Sequence, residues 1–255
     1  AGIPGTLKIL PGANVTNYSL AIGTATTGAV FQTGGTFTLT DPASIVDFRI
    51  GDGVGGYGYY QLSGGTLNAN EVGVGGGNGG SATVGVMDIS GGTFNDAGWI
   101  TLGRAGTSSS GVLNVSGGGS IVCAGLVGGN KISFNWGSTT ALCVINIFNG
   151  GSILGPANAT YVLDLATANN AGALNVLNLG TNGTLAIGGV TAASAAPTAL
   201  LNFNGGTLQA TTDNPNYMTD GNVDGVFIYP GGATINDGGF NITDSIPLQS
   251  PSGYG

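Results

Sequence analysis

The residues best equipped for metal chemistry lie in one short run, Asp220-Gly221-Asn222-Val223-Asp224-Gly225. Side-chain oxygens of Asp220, Asn222 and Asp224 at alternate positions, with Gly permitting a sharp turn, match the opening of a Ca²⁺ loop. The twelfth position of such a loop is Gly231, where a bidentate carboxylate is required, so Asp213, Asn214 and Asn216 would have to supply the missing oxygens. The competing reading is a plain Asp/Asn/Gly turn. Ca²⁺ is the only cofactor the residues suggest, and otherwise none is expected.

Two stretches, Gly51 to Gly56 and Gly75 to Gly80, match the spacing Gly-x-Gly-x-x-Gly. A dinucleotide site needs a helix directly after such a run, whereas Gly56 is followed by Tyr-Gly-Tyr-Tyr, a strand pattern. Turn glycine is the better reading. General acid–base chemistry is poorly provided for. The chain has no His, and its only bases are Lys8, Arg49, Arg104 and Lys131. Apart from Asp220 and Asp224, no acids stand close enough in sequence to suggest the paired carboxylates of a glycosidase or the proton abstractor of a lyase. The chain reads as a non-enzyme, with a polysaccharide lyase or hydrolase as the third-ranked alternative.

Cys123 and Cys143 each lie among apolar neighbours, so buried thiols and a disulfide both remain open. Tyr57, Tyr59, Tyr60, Trp99 and Trp136 offer aromatic surface for glycans or a partner protein, or else core filling.

Whatever these residues do, repeated elements must position them. Of 255 residues 52 are Gly, only 16 are charged, and 41% are hydrophobic. Disorder requires high charge and low hydrophobicity, and collagen requires Gly at every third position; neither holds. Here Gly occurs in pairs that set a repeat. Gln61-Leu62-Ser63-Gly64-Gly65-Thr66-Leu67 matches Asp88-Ile89-Ser90-Gly91-Gly92-Thr93-Phe94 and Asn202-Phe203-Asn204-Gly205-Gly206-Thr207-Leu208. Copies with one extra turn residue begin at Asn114, Asn146 and Asn178, and looser copies lie near Gly12, Gly34 and Gly231. The residue after the Gly pair falls at 14, 36, 66, 93, 120, 152, 184, 207 and 234, nine copies about 27 residues apart. Between the anchors an apolar strand closes on Gly: Leu20 to Gly23, Phe48 to Gly51, Val72 to Gly75, Ile100 to Gly103 and Leu126 to Gly128.

Three short strands per repeat of this length make one coil of a parallel β-helix. The predicted fold is therefore an all-β, single-domain β-solenoid of about nine coils over residues 1–237, with 238–255 as a tail that caps its own chain or contacts a neighbour. Stacking explains why residue types recur. Val15, Phe37, Leu67, Phe94, Ile121, Ile153, Leu185, Leu208 and Ile235 form an expected inward apolar column. Gln61, Asp88, Asn114, Asn146, Asn178 and Asn202 form an outward column whose amides can hydrogen-bond from coil to coil. A third column, Thr38, Asn68, Asn95, Val122, Ala186, Gln209 and Asn236, lacks the Thr that a double-threonine ice-binding face would need.

The Gly-Gly-Thr-apolar anchor, with its preceding apolar-Asn-apolar strand and following strand closing on Gly, resembles the autotransporter-associated β-strand repeat of bacterial surface proteins over about residues 7–237. That resemblance implies an extracellular or cell-surface stalk, adhesin or filament, without naming a ligand. The net charge of −8 argues against nucleic acid and anionic membranes as partners, since both demand clustered Lys and Arg. No stretch is apolar for the ~20 residues of a spanning helix. No signal-peptide pattern opens the sequence, so secretion would mean that it is written in mature form. The leading expectation is an exported structural protein stacking head to tail; the alternative is an adhesin or stalk module that binds glycans or a partner protein.

Overall fold

The computed structural model describes residues 5–41, 48–77, 81–104, 106–124, 131–137, 141–159, 161–218 and 221–252. Among these there is no helix, and every pairing between strands is parallel. The chain winds as a β-solenoid with three walls, one strand of each per coil. Gly frequency and β-branched alternation oppose helix, and a parallel coil lets identical residues stack.

The first wall runs from Gly5–Ile9 and Thr27–Gln32 through Ser110–Val115, Leu142–Ile147, Leu174–Gly180 and Thr198–Asn204 to Gly225–Ile228 and Leu248–Gln249. The second wall holds the residues after the Gly pairs. Asn14, Thr36, Thr66, Thr93, Ser120, Ser152, Thr184, Thr207 and Thr234 lie in one unbroken register, nine rungs spanned by eight turns. The adjoining apolar column is also continuous from Val15 to Ile235, as the sequence predicts. Its members from Phe37 to Leu208 are buried, and only the two terminal ones are not.

The expected boundary between the first and second strands changes in two coils. Tyr57–Ala69 and Val84–Asp96 are each one long strand that bends at its Gly pair and serves both walls. Gly65 and Gly92 take φ of +85° and +74° at the bends, a conformation that Gly adopts without steric cost.

The third wall comprises Leu20–Ile22, Phe48–Ile50, Val72–Val74, Ile100–Leu102, Lys131–Phe134, Val162–Asp164 and Gly189–Thr191. The expected strand ending at Gly128 lies outside the described residues; the described fifth rung is Lys131–Phe134. It closes on Asn135, with φ +58°, where the first four rungs close on Gly. Outward positions of this wall are buried all the same: Thr101 and Ser133 are inaccessible, and Asp164 is nearly so. Lys131 Nζ donates to Asp164 Oδ2 at 2.6 Å, Arg104 pairs with Glu71, and Arg49 with Asp52 at 3.4 Å. Three of the four basic residues are therefore held in ion pairs along or beside this wall.

Between the first and third walls, two glycine columns meet. Gly5, Gly28, Gly58, Gly85 and Gly111 are in register on the first wall, and Gly23, Gly51, Gly75 and Gly103 close the third-wall strands with positive φ. A Cβ on Gly58 would strike the Gly51 backbone, and one on Gly85 would strike that of Gly75. The column continues as Cys143, whose Sγ lies against Gly103, and then as Asn175 and Ala199.

Candidate functional site

The outward column on the first wall is a hydrogen-bonded ladder with a direction. Gln61, Asp88, Asn114, Asn146, Asn178 and Asn202 occupy successive rungs. Asn202 Nδ2 donates to Asn178 Oδ1 at 2.8 Å, Asn178 Nδ2 to Asn146 Oδ1 at 2.7 Å, and Asn146 Nδ2 to Asn114 Oδ1 at 2.7 Å. Asn114 Nδ2 then donates to Asp88 Oδ1 at 2.6 Å. The carboxylate takes a second donor, the Tyr59 hydroxyl, at 2.7 Å on Oδ2. Burial, followed by the contact with Asp88, pushes the Tyr59 phenol well above its ordinary range, so it stays a donor. Each amide still has one N–H directed away from the ladder.

A shorter ladder runs on the second wall. Asn95 Nδ2 donates to Asn68 Oδ1 at 2.8 Å, and Asn68 Nδ2 to Thr38 Oγ1 at 3.1 Å. Both ladders point their donors toward the N-terminal coils.

The run with Ca²⁺-loop spacing has a structural use for the residues that can be described. Asn222 Nδ2 donates to the Ala192 carbonyl at 2.9 Å, and Asp224 Oδ2 accepts the Ala199 N–H at 2.8 Å. Both side chains tie this turn to the preceding coil. Asp220 lies outside the described residues, and among those described no three His, Cys, Asp or Glu side chains gather as a metal site. Gly51 to Gly56 is a turn leading into a strand, with positive φ at Gly51, Gly53 and Gly55; in the second such stretch, residues 78–80 lie outside the described residues.

The disulfide alternative for Cys123 and Cys143 is not realised: both are buried free thiols. Cys123 belongs to the second wall and Cys143 to the first. Burial pushes the Cys143 thiol up from 9.0 to about 12. Cys123 is also raised, mainly by burial and then by Asp96, and it sits beside Tyr161 in the interior.

The aromatic set divides. Tyr60 is fully buried, with its hydroxyl donating to the inaccessible Gln32 and its ring edge-on to Phe48 at 5.0 Å. Tyr59 packs against Phe31 at 5.7 Å. Trp99 and Trp136 meet edge to face at 4.7 Å, with Lys131 Nζ 5.8 Å from the Trp136 ring centre.

Sequence reasoning missed the column two residues beyond the ladder: Ser63, Ser90, Ser116, Phe148, Gly180, Asn204 and Tyr229. Its change from Ser to large aromatics was visible in the same alignment that yields the ladder.

Fold and ladder together define a single-domain parallel β-solenoid whose outer surface is organised as stacked side-chain columns. No family model, curated protein or solved structure matches this chain.

Proposed function

We propose that this protein is a structural, non-catalytic β-solenoid that stacks head to tail into an extracellular or cell-surface fibre. The observation that supports the reading best is the fate of one column at its two ends. Leu7, Val30, Tyr60, Met87, Leu113, Ile145, Leu177, Leu201, Val226 and Leu248 follow one another in register along the inner side of the first wall. Val30 to Val226 are buried, whereas Leu7 is 42% and Leu248 45% exposed. On the second wall the column ends on exposed Val15 at one end and on half-buried Ile235 at the other.

Among the described residues no strand pairs with the outer edge of Gly5–Ile9 or of Leu248–Gln249, and open edges favour pairing with another strand. Because every strand is parallel, the opposite ends of one molecule offer complementary edges, and a contact of that kind propagates without closing. A hollow of about 400 Å³ at the first coil, lined by Thr6, Thr24 and Thr27 as well as Leu7, Leu20 and Val30, gives an incoming coil both hydroxyls and apolar surface to meet. The resemblance of the repeat to that of bacterial surface proteins points the same way.

Electron microscopy of the purified chain over a concentration series tests the reading, with a version lacking residues 238–255 as control. Fibres with an axial repeat of nine to ten rungs are expected for the full chain, about 45 Å at the usual strand spacing. Monodisperse particles at every concentration, with and without the tail, would overturn it.

A further inference from the structure

A groove of about 360 Å³ runs along the solenoid axis on the outer side of the first wall. Its floor is the upper ladder, Asn146, Asn178 and Asn202, with Gly180 beside it; Phe148 and Tyr229 stand at its two ends. The register explains the shape. Ile147, Leu179, Phe203 and Ile228 are stacked neighbours, so Phe148 and Tyr229, each one residue further on, are three rungs or about 14 Å apart. Between them the column holds Gly180 and Asn204: Gly180 leaves its rung open, a Cβ there lying 3.0 Å from Phe148 Cβ, and Asn204 turns its Oδ1 to accept the Gly231 N–H. In the earlier coils this column is Ser63, Ser90 and Ser116, without aromatic walls.

The chemistry of the lining selects a ligand class. No carboxylate or basic side chain lines the groove, and residues 132–255 hold six Asp with no Lys or Arg, so anionic polymers are disfavoured. The amides are pre-oriented, because each ladder bond fixes one N–H and leaves the other free to donate outward. Among the described residues no donor reaches Asn202 Oδ1, so the ladder ends on an open acceptor inside the groove. Rungs recur about every 4.8 Å, close to the length of one pyranose ring. A neutral chain of such rings can give hydroxyls to successive amides and lay its C–H faces on Phe148 and Tyr229. Ligand sites of this size join apolar walls to a few fixed polar groups, and pre-orientation lowers the cost of binding. A peptide strand finds no open sheet edge here, since the groove crosses the strands.

We infer that this groove is a binding site for a neutral oligosaccharide, held by Asn146, Asn178 and Asn202 and stacked between Phe148 and Tyr229. The site is on a side wall and remains free whether or not molecules stack end to end.

Affinity electrophoresis of the full chain through soluble β-glucan, galactomannan and polygalacturonate tests the assignment. Retardation is expected in at least one neutral polymer and not in polygalacturonate. Tyr229→Ala and Phe148→Ala should each weaken it by about tenfold, the effect of losing a central aromatic anchor, while Tyr57→Ala, on a distant coil, leaves it intact. No retardation in either neutral polymer, equal retardation of the Tyr229→Ala chain, or retardation in polygalacturonate alone would overturn the assignment. If a variant melts early, saturation-transfer NMR on the unmodified chain decides. Saturation passing from aromatic protons to the ring protons of the retarding polymer's oligosaccharide supports the site, and its absence overturns it.

Discussion

Asn114 Nδ2 lies 2.6 Å from Asp88 Oδ1, and this contact orders the column above it. A carboxylate only accepts, so Asn114 must turn its amide nitrogen toward Asp88, which leaves its oxygen for Asn146, and so on to Asn202. One carboxylate side chain thereby fixes four amide orientations. Bonds to charged groups are the stronger ones.

The ladder should respond to its base more than to its middle. Asp88→Ala removes the acceptor of both Asn114 and Tyr59 and is expected to cost about 2–3 kcal/mol. Asn146→Ala breaks two neutral bonds in a part-buried site that water can partly replace, for about 1–2 kcal/mol. Asp88→Asn should fall below both, because an amide oxygen can still accept from Asn114. Urea unfolding monitored by circular dichroism gives the order; Asp88→Asn costing as much as Asp88→Ala would show that the acceptor does not set the direction.

The glycine corner makes a paired prediction. Gly75 and Gly118 have nearly the same φ, +77° and +82°, but a Cβ on Gly75 would sit against the Ser110 carbonyl while one on Gly118 would meet nothing. Gly118→Ala should cost about 1 kcal/mol, the penalty of left-handed backbone. Gly75→Ala should cost about a further 1–3 kcal/mol for overpacking. Equal melting temperatures for the two variants would rule out backbone contact as the reason for Gly75.

The thiols predict alkaline behaviour. Cys143 binds its proton more tightly in the folded chain, at about 12, than its ordinary 9.0, so its contribution to stability is complete below about pH 9 and is lost as pH rises toward 12. The slope per thiol is about 1 kcal/mol per pH unit over that interval. Buried Tyr60 and Tyr217, both raised by burial, add to the decline above their ordinary 10.0. Melting temperature should stay level to about pH 8.5 and then fall. Cys143→Ala should begin lower and fall less steeply. Iodoacetamide should label neither cysteine in the folded chain at neutral pH and both in urea.

Stacking makes a complementation prediction. Leu7→Asp blocks one end of the apolar column and Leu248→Asp the other, so neither variant alone should form fibres. Each keeps one intact end, and an equimolar mixture should form a dimer and nothing larger, as read by sedimentation velocity. Fibres from either single variant would show that these leucines are not at the junction.

Relationships along the solenoid axis were readable in the sequence. The apolar column from Val15 to Ile235, the threonine column and the amide ladder all recur about every 27 residues, and a parallel coil places what recurs in sequence side by side in space. A residue thus announces its axial neighbour by resembling it.

Relationships across the coil were left to the tertiary structure. Nothing in the repeat says that Gly58 lies on Gly51 or Gly85 on Gly75, because those contacts join columns of different register whose distance depends on how tightly each corner turns. The same is true of the burial of Asp164 with Lys131, of the separation of Cys123 from Cys143 onto different walls, and of the groove between Phe148 and Tyr229. Repetition determines which residues stack, since strand spacing is constant along the axis. Only the closed cross-section decides which columns face one another, because that rests on side-chain volume summed around each turn.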